Sequence, residues 1–134
     1  YYLYDHETGS DDGSTAPAQA ISAFIESSQF DIGEGDQFSF VRRVIPDLTF
    51  RDSTAVAPVV NFTLQSRNYP GGAYTNTDAS AITRSAVVPV EQFTQDANIR
   101  LRGRSMSIKL DSSATGVAWR LGAPRIEIRT DGRR

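Results

Sequence analysis

Apolar and polar residues alternate along much of this chain with a period of two, the mark of strands that bury one face. The clearest case lies within Ala57–Gln65, where Val60, Phe62 and Leu64 alternate with Asn61, Thr63 and Gln65. Phe38, Phe40 and Arg42 share one face of another strand, with Val41 and Arg43 on the other. Val44 and Ile45 continue it to Pro46, which must end the strand or sit at a sheet edge. Ser85–Val90 reads as a short edge strand, and a last strand after Pro124 points Ile126 and Ile128 inward.

One stretch breaks its own parity. Ile99 and Leu101 are apolar at odd positions, whereas Met106, Ile108 and Leu110 are apolar at even ones. A shift of one residue turns every side chain to the opposite face. A β-bulge near Gly103 would absorb that shift within a single strand. Ahead of the break, Arg100, Arg102 and Arg104 form one row on the face opposite Ile99 and Leu101. Arg125 and Arg129 project outward from the last strand.

Between these elements the chain is punctuated. Gly33 and Gly35 suit a tight turn after Phe30-Asp31, because glycine tolerates positive φ. Asn68–Gly72 and Asp111–Gly116 read as turns, residues 73–85 as a loop, and Val117–Leu121 as a further strand. Ile21, Phe24 and Ile25 have the spacing of a short helix. Residues 5–20 are rich in Asp, Gly, Ser and Thr and poor in apolar side chains. The expected organisation is a linker or extended segment over 1–20 and a β-rich domain over 21–134. The fold class is all-β, a mostly antiparallel two-sheet sandwich, with part of a β-propeller-like assembly as the alternative. Val59–Gln65 is expected to be an exposed strand able to pair across subunits.

Composition narrows the chemistry. The chain has 134 residues, enough for one domain with a real core. It contains no cysteine, which excludes disulfides, thiol catalysis and thiolate metal sites. No apolar run approaches the ~18 residues of a membrane span. The N-terminus Tyr1-Tyr-Leu-Tyr-Asp-His6 lacks the basic and apolar regions of a secretory signal. With no initiator Met, the chain is expected to belong to something longer. Its net charge of −2 hides an asymmetry. Residues 99–134 carry nine Lys/Arg and three Asp/Glu, whereas residues 1–98 carry five and thirteen. Such a split suits attraction to polyanions or head-to-tail contact between copies, although solvated surface charge has the same composition.

Hydrolytic machinery is poorly represented. His6 is the only histidine, so Ser–His and Cys–His nucleophilic systems lack parts and a histidine metal site has too few ligands. Asp31, Glu34 and Asp36 offer oxygens to a hard cation, but their spacing is not that of an EF-hand, and a solvated acidic turn is the ordinary reading. Asn61-Phe-Thr63 has the N-glycosylation pattern without a secretory context, and Gly71-Gly72 is too short to cradle phosphate. Trp119, between Val117 and Leu121, reads as core. No catalytic residue, metal ligand or cofactor is expected.

Several segments together resemble the C-terminal region of the tail nozzle, or tail tubular protein B-like, family of short-tailed bacteriophages, especially marine types. They are Phe24-Ile-Glu-Ser-Ser-Gln-Phe-Asp-Ile-Gly-Glu-Gly-Asp36, Phe40-Val-Arg-Arg-Val-Ile-Pro-Asp47, Arg67-Asn-Tyr-Pro-Gly71 and Val88-Pro-Val-Glu-Gln-Phe93. Ile99-Arg-Leu-Arg-Gly-Arg104, Gly116-Val-Ala-Trp-Arg-Leu-Gly-Ala-Pro-Arg125 and the terminal Asp131-Gly-Arg-Arg134 follow in order. The resemblance implies a non-enzymatic virion protein, assembled in the host cytoplasm. It implies a homo-oligomeric ring with adaptor and fibre partners, enclosing the channel through which genomic DNA leaves. It assigns no catalytic residues and nothing to residues 1–20. On this reading Arg100, Arg102, Arg104, Arg125 and Arg129 are candidates to face a neighbouring subunit or passing DNA, the DNA contact being transient and non-specific. A nucleic-acid-contacting module and a glycan-binding virion module, or a carboxylate-dependent glycan hydrolase, are the rival readings.

Overall fold

The computed structural model describes residues 3, 9–69 and 85–133. Among the described residues twelve strands follow one another and no helix occurs. They are β1 (Asp11–Asp12), β2 (Gln19–Ala20), β3 (Ala23–Glu26), β4 (Phe30–Asp31), β5 (Ser39–Ile45) and β6 (Leu48–Thr49). Then come β7 (Val59–Arg67), β8 (Ser85–Glu91), β9 (Ala97–Gly103), β10 (Ser105–Ser112), β11 (Arg120–Leu121) and β12 (Arg125–Thr130).

Two antiparallel sheets enclose the core. The larger runs β3-β10-β7-β8, with β4 also on β10; the smaller runs β12-β5-β9. Val60, Phe62 and Leu64 of β7, Val90 of β8, and Met106 and Leu110 of β10 point inward from the first. Val41 and Val44 of β5 and Ile99 and Leu101 of β9 meet them from the second. The architecture is therefore all-β and sandwich-like, as the alternation predicts. Trp119 packs half-buried against this core, and its indole nitrogen donates to Ser112 Oγ at 2.9 Å.

Four local expectations are corrected. The segment holding Phe24 and Ile25 is strand β3, not a helix, because the edge of β10 offers it a ladder. Ile25 lies opposite Leu110, and Phe24 opposite Asp111. Three apolar residues at short spacing fit either geometry, and pairing decides. Secondly, β7 is no exposed strand: β10 and β8 flank it on both sides, so it has no free edge. Thirdly, the segment Val117–Leu121 forms strand only at Arg120–Leu121, which pairs with β6.

The fourth correction concerns the parity break. Ile99–Leu110 is two strands in different sheets, not one bulged strand. β9 ends at Gly103, the chain turns at Arg104, and β10 starts at Ser105. Odd residues face the core from one sheet and even residues face it from the other. Gly103 marks the corner because the backbone passes hard against β7: a Cβ there would lie 2.6 Å from Ser66 Cβ and 3.1 Å from the Arg67 carbonyl. Arg104 N–H donates to that carbonyl at 2.9 Å, and Ser66 Oγ donates to the Arg102 carbonyl at 3.1 Å.

Residues 11–20, within the expected linker, contain the β1–β2 hairpin. Asp11 Oδ1 accepts a bond from Gly116 N–H at 2.7 Å, which ties the hairpin to the domain. Gly33 and Gly35 have φ of 68° and 75°, the left-handed turn expected after Phe30-Asp31. His6, Pro70–Gly72, residues 73–84 and Arg134 lie outside the described residues.

Candidate functional site

Strand alternation turns the outer face of the β12-β5-β9 sheet into an arginine-rich surface. Of the five arginines singled out from the sequence, two are committed within the chain, two line a cleft, and Arg125 stands apart.

Arg102 and Arg104 are committed within the chain. The ring of Phe38 lies just before β5, with the Arg102 guanidinium carbon 4.0 Å from its centroid and that of Arg104 4.6 Å away. Both geometries are cation–π contacts. The segment after β12 closes over the same place. Phe38 N–H donates to the Gly132 carbonyl at 2.7 Å, and Asp131 N–H donates to the Phe38 carbonyl at 2.8 Å. Arg102 pairs with the Asp131 carboxylate and also reaches the Asp131 carbonyl at 3.2 Å. Arg104 donates to the Arg133 carbonyl at 2.8 Å, and Arg133 pairs with Asp36 at 3.4 Å. Phe38 is thereby only 8% exposed although it points away from the core. This clasp fastens residues 131–133 to the sheet.

Arg100 and Arg129 remain exposed, and the fold adds Arg42 to them. All three line one open cleft with Phe40, Asn98 and Ile99. Phe40 pairs with Arg129 on one side and Arg102 on the other. Arg42 sits where both neighbouring ladders slip. On β9, Ile99 and Arg100 together span the register step that Arg42 alone spans on β5. On β12 the step falls between Glu127 and Ile128. Bulges re-aim side chains, and here the consequence is visible in burial: Val41 and Val44 both point inward, with Arg42 and Arg43 between them on the outer side. Alternation puts Arg43 on the same face as Val41; the slip instead places it outward, between Asp96 at 3.4 Å and Glu127 at 3.1 Å. Among the described residues no carboxylate forms an ion pair with Arg42, Arg100, Arg125 or Arg129. Arg125 lies apart from the cleft, opposite Ile45 at the other end of β12.

The sequence reading missed Arg42 as a member of this group. Its signal was present: Val41 and Val44 are both apolar at unlike parity, as in the break near Gly103. The acidic turn is not a shared oxygen cage. Asp31 accepts a bond from Ser105 Oγ, Asp36 is occupied by Arg133, and Glu34 lies exposed between them. No group of His, Cys, Asp or Glu that could hold a metal ion occurs among the described residues. Hydrogen bonds from the Ser14 side chain and backbone hold the Asp12 carboxyl below the usual carboxylate range. Comparison with protein-family models and with curated proteins finds no match to this chain.

Proposed function

We propose that this chain is a structural module of a short bacteriophage tail, part of a nozzle ring through which DNA exits. The observation that carries the reading is the ordered run of segments, over residues 21–134, that resemble the C-terminal region of that family. An all-β sandwich with an outward arginine surface is compatible with it. The acidic residues 1–98 and basic residues 99–134 of separate copies could meet in a closed, head-to-tail arrangement. Arg102 and Arg104 hold the chain's own C-terminal segment, so contact with a neighbour falls to other side chains, Arg125 among them. In this role the protein binds and encloses rather than catalyses, and it resides in the virion.

Nucleic-acid contact is the second reading, favoured by three exposed arginines with which, among the described residues, no carboxylate forms an ion pair. Electron microscopy of the full-length protein, with its mass measured in solution, tests the first. Closed rings with an axial hole are expected. A protein that stays monomeric even beside its tail partners would overturn the ring reading.

A further inference from the structure

We propose that the cleft formed by Arg42, Arg100 and Arg129 over Phe40 is a binding site for a compact phosphorylated sugar. The inference stands on the cleft and does not rest on the tail reading.

Three features point to an anion. First, the arginines come from three adjacent strands, so their Cα atoms span only about two strand spacings, roughly 10 Å. Like charges on neighbouring strands repel, and among the described residues nothing acidic relieves these three. A bound oxyanion would. Second, Arg42 lies on the outer face with Phe40, and the ladder slips on both sides of it. Regular pairing on either side would leave Arg42 a plain ladder residue. Third, the flanking arginines are already satisfied. Arg102 holds Asp131, and Arg43 sits between Asp96 and Glu127. Of the four arginines on this sheet that, among the described residues, no carboxylate pairs with, three are confined to one cleft and Arg125 stands apart at the other end of β12.

That confinement selects the ligand. A long polyanion is held best by a stripe of cations that tracks its backbone. The cleft is instead a single open hollow of about 860 Å³, within the ~300–1,000 Å³ typical of small-molecule sites. Guanidinium forks match the oxygens of phosphate in pairs. Three forks on three adjacent strands around one cleft suit a tetrahedral phosphate better than the two oxygens of a carboxylate. Phe40, half-buried among them, offers an aromatic face against which the C–H face of a sugar ring can pack. Asn98 at the border carries an amide that can both donate to and accept from hydroxyls.

The test is calorimetric titration of the full chain at low salt with glucose 6-phosphate, glucose, inorganic phosphate and a DNA oligonucleotide. Glucose 6-phosphate should bind more tightly than inorganic phosphate, and glucose should not bind measurably. Arg42→Gln, Arg100→Gln and Arg129→Gln should each weaken binding at least tenfold, about the effect of losing one charge-assisted hydrogen bond. Arg125→Gln, on the same strand but outside the cleft, should stay within about twofold of the parent. If Arg42→Gln fails to fold, the Arg100→Gln and Arg129→Gln variants still decide. The proposal is overturned if no phosphorylated probe binds, if inorganic phosphate binds as well as the sugar phosphate, or if Arg125→Gln weakens binding as much as the others. Displacement of the sugar phosphate by DNA at lower concentration would also overturn it, and would favour nucleic-acid contact.

Discussion

Gly103→Ala should destabilise the fold for a purely steric reason. Gly103 does not have positive φ, so alanine meets no backbone objection there. The objection is space: the new Cβ would lie 2.6 Å from Ser66 Cβ and 3.1 Å from both Ser66 Oγ and the Arg67 carbonyl. Carbon atoms pack at about 3.5–4.0 Å, so β9 must move away from β7 by roughly 1 Å. That shift would stretch the bond from Ser66 Oγ to the Arg102 carbonyl and the bond from Arg104 N–H to the Arg67 carbonyl. Overpacking of this kind costs about 1–3 kcal/mol. For a chain of this length, 1 kcal/mol moves Tm by about 3–4 °C, so a fall of about 3–12 °C is expected by calorimetry. Ser66→Gly removes both side-chain atoms that clash. It destabilises on its own, through the lost hydrogen bond and a glycine within a strand. Combined with Gly103→Ala, however, it should recover at least 1 kcal/mol relative to the sum of the single changes. A Gly103→Ala protein as stable as the parent, or a cycle with no coupling, would refute the account of this corner as a close backbone approach.

Three further outcomes are expected. Phe38→Ala removes the ring held between Arg102 and Arg104 and should cost about 3 kcal/mol, the low end for a buried aromatic because its site can collapse toward solvent; urea unfolding measures it. Asp131→Asn should cost less than about 1 kcal/mol, since the pair with Arg102 is partly exposed, and the difference from the parent should shrink in 1 M salt; an equal difference at all salt concentrations would argue against an ion pair. Asp12 should titrate below an ordinary aspartate by NMR and move only part of the way back in Ser14→Ala, which removes the hydroxyl bond and keeps the backbone N–H bond. A carboxyl with a depressed pKa contributes stability above its unfolded pKa and loses it as pH falls through the folded value. The β1–β2 hairpin should therefore loosen only on the acid side, below about pH 4.

Much of the fold was legible in the chain because strand alternation is a local property. Val60, Phe62 and Leu64 announced their face without reference to any partner, and so did Ile126 and Ile128. The all-β class followed from many such segments with turn residues between them. The charge asymmetry and the lack of cysteine were fixed by composition alone.

What the sequence left open depended on residues far apart in the chain. A parity break says that side chains change face, but it does not say whether the strand bulges or leaves its sheet. At Gly103 the chain leaves its sheet, because β7 and β5 draw β10 and β9 to different layers. At Arg42 the strand stays, and the ladders slip on both sides. The ownership of charges was equally non-local. Arg102 and Arg104 look equivalent to Arg100 in the linear row, yet the segment after β12 folds back over Phe38 and takes the first two. Arg100 is left beside Arg42 and Arg129. The local pattern sets which way a side chain points, whereas only the tertiary pairing of distant strands sets what it meets there.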